Sequence, residues 1–150
     1  MNNDSPLYLD TSCLLKLFFL EPESEAVVAA LSEEQAVVVS ELARLEAETQ
    51  LRARLVGGLL TRARYRRITE ELRRTLSQEP FVVAAFPVDA FGEARKIAGS
   101  AKVHCRTLDL LHVAAMTASG LKRLFTNDRT QCKVARSLGL SVVMPNEPAR

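Results

Sequence analysis

The sequence is poor in cysteine, lacks a long apolar run and carries almost no net charge, and each shortage removes a class of protein. Cys13, Cys105 and Cys132 are odd in number, far apart and without a Cys-x-x-Cys pair. They suggest neither a disulfide frame nor a thiolate zinc site, and read as buried thiols in a reducing compartment. No apolar stretch approaches the ~20 residues that span a bilayer, and Met1 to Pro6 lack the basic start and apolar core of a signal peptide. The expected location is therefore the cytoplasm. A net charge of +2 names no partner. Hydrophobic residues, by contrast, make up 47% of the 150 residues, ample for one continuous core, so one domain over residues 1–150 is expected.

Charge is unevenly placed. Between Arg52 and Arg74 stand eight arginines against Glu70 and Glu71, a local charge of about +6. One reading is a solvated helical face; the other is a surface for phosphates, since the arginine fork bonds phosphate oxygens bidentately. Tyr65 is the lone aromatic there, so contacts to a nucleic-acid backbone are implied, and base stacking is not. Arg62, Arg64, Arg66 and Arg67 are the candidates.

Periodicity lays out alternating elements. Leu7 to Leu9 reads as a strand ending at Asp10, Cys13 to about Leu20 as a helix stopped by Pro22, and Ser24 as the cap of a second helix through Leu31. Ala36 to Val39 is a second strand. The pattern is then helical from Ser40 to about Leu55, breaks at Gly57-Gly58, and resumes from Leu59 to Ser77, predicting a helical arm over about 41–78. Phe81 to Phe86 reads as a strand, Ala90 to Ala98 and Thr107 to Ala118 as helices, Leu124 to Thr126 as a strand, Thr130 to Leu138 as a helix and Ser141 to Met144 as the last strand, before a frayed tail. Short apolar strands alternating with helices predict an α/β three-layer sandwich with a mainly parallel central sheet. Function in such sheets gathers at strand carboxyl ends. Asp10 and Asp128 both stand there.

Taken singly, each acid has an ordinary role. Asp10 and Asp128 suit helix N-termini, Asp109 sits in a first helical turn, and Glu46 lies beside Glu41 and Glu48 on a solvated helix. Their surroundings say more. Leu9-Asp10-Thr11-Ser12 resembles the opening motif of PIN domains, where a strand delivers an acid into a Ser/Thr helix start. Ser40 to Glu46 resembles that family's serine, leucine and glutamate spacing, which selects Glu46. Leu108-Asp109-Leu110-Leu111-His112-Val113-Ala114 resembles its aspartate, x, x, histidine, x, alanine block, with Leu110 where alanine is common. Leu124 to Asp128, followed by Ala135 and Leu138-Gly139-Leu140, resembles its closing strand, acid, helix and strand. The four blocks occur in order at the spacing of short PIN proteins, particularly VapC-type toxins of toxin–antitoxin pairs.

The resemblance implies a PIN-like fold and a metal-dependent endoribonuclease with catalytic acids Asp10, Glu46, Asp109 and Asp128. Carboxylates about 4 Å apart repel by ~4 kcal/mol at an effective dielectric near 20. Crowded acids therefore favour a cation, and oxygen-only ligands select Mg²⁺ or Mn²⁺ over zinc. Asp10 and Asp109 are assigned to direct ligation, Glu46 and Asp128 to the metal or its waters, and Thr11 or Ser12 to a supporting hydroxyl. Metal-bound water would be the nucleophile, and the family implies a 5′-phosphate product. His112, three residues after Asp109, is expected to hydrogen-bond structurally. His104 and Cys105 lack further ligand partners. The implied partners are RNA, a cognate antitoxin that wraps the toxin, and a second copy in a homodimer. Cys13 to Leu20 and Leu42 to Leu60 are candidate surfaces. A haloacid-dehalogenase reading fails because the position two after Asp10 is Ser12. The alternative is a noncatalytic RNA- or protein-binding module of the same fold.

Overall fold

The computed structural model describes Ser5 to Glu147; the expected frayed tail falls partly on 148–150, outside the described residues. Twelve elements follow in order: β1 (Leu7–Leu9), α1 (Thr11–Leu15), α2 (Ser24–Ser32), β2 (Val37–Ser40), α3 (Glu41–Val56), α4 (Arg62–Leu76), β3 (Phe81–Ala84), α5 (Ala90–Ser100), α6 (Thr107–Ala118), β4 (Arg123–Phe125), α7 (Arg129–Ser137) and β5 (Ser141–Val143).

The five strands form one sheet in the order β3-β2-β1-β4-β5, and every neighbouring pair is parallel. Strand alternation sorts the core into two layers. Leu7, Leu9, Val37, Val39 and Phe125 face one side, where residues of α1 to α4 cover them. Tyr8, Val38 and Leu124 face the other, against α5, α6 and α7. The chain is thus an α/β/α sandwich. Central β1 is buried throughout, which explains its continuous apolar pattern.

Caps fix where several helices begin. Ser40 Oγ accepts from Ala43 N at 3.2 Å, Thr61 Oγ1 from Arg64 N at 3.2 Å and Asp128 Oδ1 from Gln131 N at 2.8 Å. Gly58, Gly120 and Gly139 take positive φ just beyond helices, the conformation that favours glycine. The α3–α4 turn falls where Gly57-Gly58 predicted it.

Two sequence expectations need correction. The helix expected to reach Leu20 ends at Leu15. Beyond it the backbone tightens through Leu17 N to Leu14 O and Phe18 N to Leu15 O, while the buried Lys16 ammonium reaches Glu21 at 2.8 Å and Glu23 at 2.7 Å. Ser24 does not cap α2. It is the first helical residue, and its hydroxyl donates to Phe19 O at 2.6 Å and accepts from Glu21 N at 3.0 Å, closing the preceding loop.

Candidate active site

The strand order reverses between β1 and β4, and the loops leaving their carboxyl ends carry Asp10 and Asp128. Asp10 is 4% exposed. Its Oδ2 accepts from Ser12 Oγ at 2.6 Å, Ser12 N at 3.3 Å and Thr126 Oγ1 at 3.2 Å. Three donors from two loops thereby fix the carboxylate. Ser12 Oγ also accepts from Asn127 N at 3.3 Å, tying the two loops together.

His112 enters from α6, almost wholly buried. Its Nδ1 lies 2.9 Å from Tyr8 Oη, which lies 2.8 Å from Ser40 Oγ. Its Nε2 contacts Glu46 Oε2 directly and stands 3.5 Å from Asp10 Oδ1. Glu46, from α3, also accepts from Thr11 Oγ1 at 2.8 Å. Thr11 and Ser12 thus both donate to carboxylates, one to Glu46 and the other to Asp10.

The remaining acids form a second pair. Arg106, which precedes α6, places Nε 2.8 Å from Asp109 Oδ2 and Nη2 3.6 Å from Asp128 Oδ2. Gln131 is fully buried, and its Nε2 donates to the Asp109 carbonyl at 3.2 Å, locking α7 onto α6. Gln131 Oε1 has no hydrogen-bond partner.

Protonation tendencies join the two pairs into one electrostatic unit. Burial raises the Asp109 carboxyl above its ordinary range, Arg106 opposes this, and the negative charges of Asp128 and Asp10 add to the rise. Burial alone would lift Glu46 too, but hydrogen bonds from His112 and Thr11 and the charges of His112 and Arg106 outweigh it and leave Glu46 lowered. Burial would discharge His112, but Glu46, Asp10 and Asp109 outweigh it and raise the imidazole. These are the signs expected of crowded negative charge around internal cations.

All-oxygen donors suit Mg²⁺ or Mn²⁺. In this conformation, among the described residues, no three His, Cys, Asp or Glu side chains are arranged to hold a metal. Arg106 stands between Asp109 and Asp128, and His112 between Glu46 and Asp10.

Residues 7–137 match the family profile of the PIN domain. The chain belongs to the PIN-domain family. It is 33% identical to Ribonuclease VapC46 of Mycobacterium tuberculosis over 142 residues, covering 93% of this chain and 98% of that protein. Its fold matches the crystal structure of FitAcB from Neisseria gonorrhoeae with a TM-score of 0.70 and 21% identity, over 93% and 97% of the two chains. VapC20 of M. tuberculosis, described as a Sarcin-Ricin loop cleaving toxin, matches with a TM-score of 0.68 and 14% identity, over 89% of this chain and 95% of that one.

Within this PIN domain, sequence reasoning missed Tyr8, Thr126, Arg106 and Gln131 as parts of the site, and took Ser40 only as the start of the block that holds Glu46. A tyrosine inside an apolar strand and an arginine three residues before Asp109 were the available signals. Among the described residues, the arginines of α4 make none of the hydrogen bonds or ion pairs of the four acids. Arg62, Arg64, Arg66 and Arg67 are exposed on α4, and Arg62 and Arg66 line a cavity of about 380 Å³ with Arg52 and Tyr65, to which none of the four acids contributes. No helix among the described residues is long and apolar enough to cross a membrane.

Proposed function

We propose that this chain is a Mg²⁺- or Mn²⁺-dependent endoribonuclease that hydrolyses RNA phosphodiester bonds, and that it serves as the toxin of a toxin–antitoxin pair. The observation that carries the reading is the pairing of Asp10 with Glu46 around His112 and of Asp109 with Asp128 around Arg106 in a PIN-family chain. The resemblance to a protein named a ribonuclease supports the reaction class.

Asp10 and Asp109 would hold the divalent ion directly, with Glu46 and Asp128 holding it or its waters. When bound, the ion supplies an activated water and charge stabilisation at the scissile phosphate. Ser12 and Thr126 orient Asp10, Thr11 and His112 orient Glu46, and Gln131 fixes Asp128's loop against α6. Arg106 holds Asp109 and Asp128 until a divalent ion takes that place. Residues 1–150 then act as one domain whose arm, about 41–78, carries Arg62, Arg64, Arg66 and Arg67 toward RNA backbone.

The toxin role implies an antitoxin and a homodimer. Solved relatives described as VapBC and FitAB complexes support the antitoxin. Leu17 to Leu20 with Val28 line an apolar groove of about 500 Å³ suited to a partner segment. The noncatalytic alternative has one observation in its favour, the internal neutralisation of the acids by Arg106 and His112.

Purified protein incubated with a structured RNA pool decides between them. Cleavage with Mg²⁺ or Mn²⁺ that vanishes with chelator and in Asp10→Asn supports the metal mechanism. Folded protein that neither binds Mn²⁺ nor cuts RNA gives the noncatalytic reading the lead.

A further inference from the structure

Helix α7 begins at Asp128 and carries a basic face that nothing in the fold requires. Arg129 and Lys133, four residues apart, are both exposed and have no ion-pair or hydrogen-bond partner among the described residues. Like charges at this spacing destabilise a helix. Arg129 is also the first helical residue, where the macrodipole disfavours a cation, an effect that the Asp128 carboxylate capping the helix offsets only in part because Arg106 shares that carboxylate. One turn further on, Arg136 is neutralised by Glu147 at 2.5 Å.

Together with Asn127, these residues line a cavity of about 470 Å³. Asn127 and Arg129 flank Asp128 in the chain, and none of the four acids lines the cavity itself; Asn127 N donates to Ser12 Oγ at 3.3 Å, so the β4–α7 loop connects the cavity to the Asp10 loop. Its acids are already paired: Glu23 with Lys16 at 2.7 Å, and Glu147 with Arg136, which lines the same cavity. The positive charge left over belongs to Arg129 and Lys133.

We propose that this α7 groove binds the phosphate backbone of single-stranded RNA next to the cleavage position, with Arg129 and Lys133 contacting consecutive phosphates and the Asn127 amide assisting. The proposal rests on the ribonuclease reading and adds a substrate track separate from the α4 arm. Two unpaired cations lining one cavity fit a polyanion, and Arg129, next to Asp128 in the chain, sets the path that the strand takes away from the acids. A backbone contact of this kind carries no base preference; it fixes register.

The test uses Asp10→Asn protein, so that cleavage does not intervene, and a fluorescein-labelled single-stranded RNA followed by anisotropy across a NaCl series. Adding Arg129→Ala with Lys133→Ala is expected to weaken binding about tenfold at low salt and to flatten the slope of log K against log salt by about 1.4, the release expected for two single-strand phosphates. The charge-preserving pair Arg129→Lys with Lys133→Arg is expected to retain the slope. Because the alanines remove like-charge repulsion, the melting temperature is expected to hold or rise. A lowered melting temperature would assign the pair to folding and overturn the groove. Unchanged affinity and slope would overturn it as well, and would be the outcome if the cavity served an acidic peptide instead. If the Asp10→Asn protein binds no RNA at all, the ribonuclease reading falls with the groove; if it binds and the alanine pair matches it, the groove alone falls.

Discussion

Replacing Tyr8 by Phe removes one oxygen from the middle of the site and leaves the β1 packing in place. That oxygen joins Ser40 Oγ at 2.8 Å to His112 Nδ1 at 2.9 Å, and the ring around it is 2% exposed. Ser40 retains its bond from Ala43 N, so α3 stays capped. His112 is 1% exposed and loses its partner at Nδ1, with no water able to take its place without opening the core. A buried polar group left unsatisfied costs about 1–3 kcal/mol, partly offset because a buried phenol no longer has to be desolvated. The net expectation is a loss of about 1–2 kcal/mol in urea unfolding, with an unchanged m-value and a melting temperature lower by about 3–6 °C. The edge-on packing of the Tyr8 ring against His112, centroids 5.9 Å apart, survives the substitution. The decisive comparison is a double-mutant cycle with His112→Asn. If the hydroxyl acts through the imidazole, the two changes couple by at least ~0.5 kcal/mol. Additive effects, or a Tyr8→Phe protein as stable as the parent, would refute the idea that the hydroxyl holds His112, and with it the account of how Glu46 is oriented.

Leu51→Ala, in the fully buried seam between α3 and α4, is expected to cost about 2–5 kcal/mol in urea unfolding, since α3 and α4 share one core cluster. Arg123→Met leaves the Glu34 carboxylate, whose side chain is 6% exposed, without its bidentate partner at 2.7 Å, and should lower stability by about 3 kcal/mol, with Glu34→Gln in the same background recovering part of the loss. Arg106→Gln should leave the melting temperature nearly unchanged, because the guanidinium is largely exposed and its pairs are screened. By freeing Asp109 and Asp128 it should tighten Mn²⁺ binding measured by calorimetry; equal or weaker binding would show that Arg106 does not compete for that place.

The parts of the architecture written in local pattern were legible. Three apolar residues before Asp10, a run of valines before Ser40 and Leu-Phe before Thr126 set the strands, and their continuous hydrophobicity announced a parallel sheet covered on both faces. Helix ends were less legible where side chains competed with the backbone. Helix α1 ends at Leu15, five residues before Leu20, where the backbone tightens into i→i−3 bonds and Lys16 reaches Glu21 and Glu23, contacts that periodicity does not register. Ser24 looked like a cap because of its type, yet its hydroxyl closes the loop before α2.

The site shows the same division. Strand ends and a helical spacing were enough to nominate the acids, but not to say what each acid touches. Tyr8 meets His112 across 104 positions and Thr126 meets Asp10 across 116, and no local pattern carries such a pairing. Four carboxylates converging at one sheet edge demanded positive charge, and the sequence reading assigned that whole demand to a metal ion. The fold divides it. His112 answers Glu46 and Asp10 from inside α6, and Arg106 answers Asp109 and Asp128 from the front of the same helix. The two cations differ in what they can yield. His112 is buried and tied to Tyr8, so it can orient its acids but not leave them. Arg106 projects into solvent, with its side chain 76% exposed, and can swing away without disturbing the core. The Asp109–Asp128 pair is thus the more accessible half of the site, and α7 begins beside it with its unpaired Arg129.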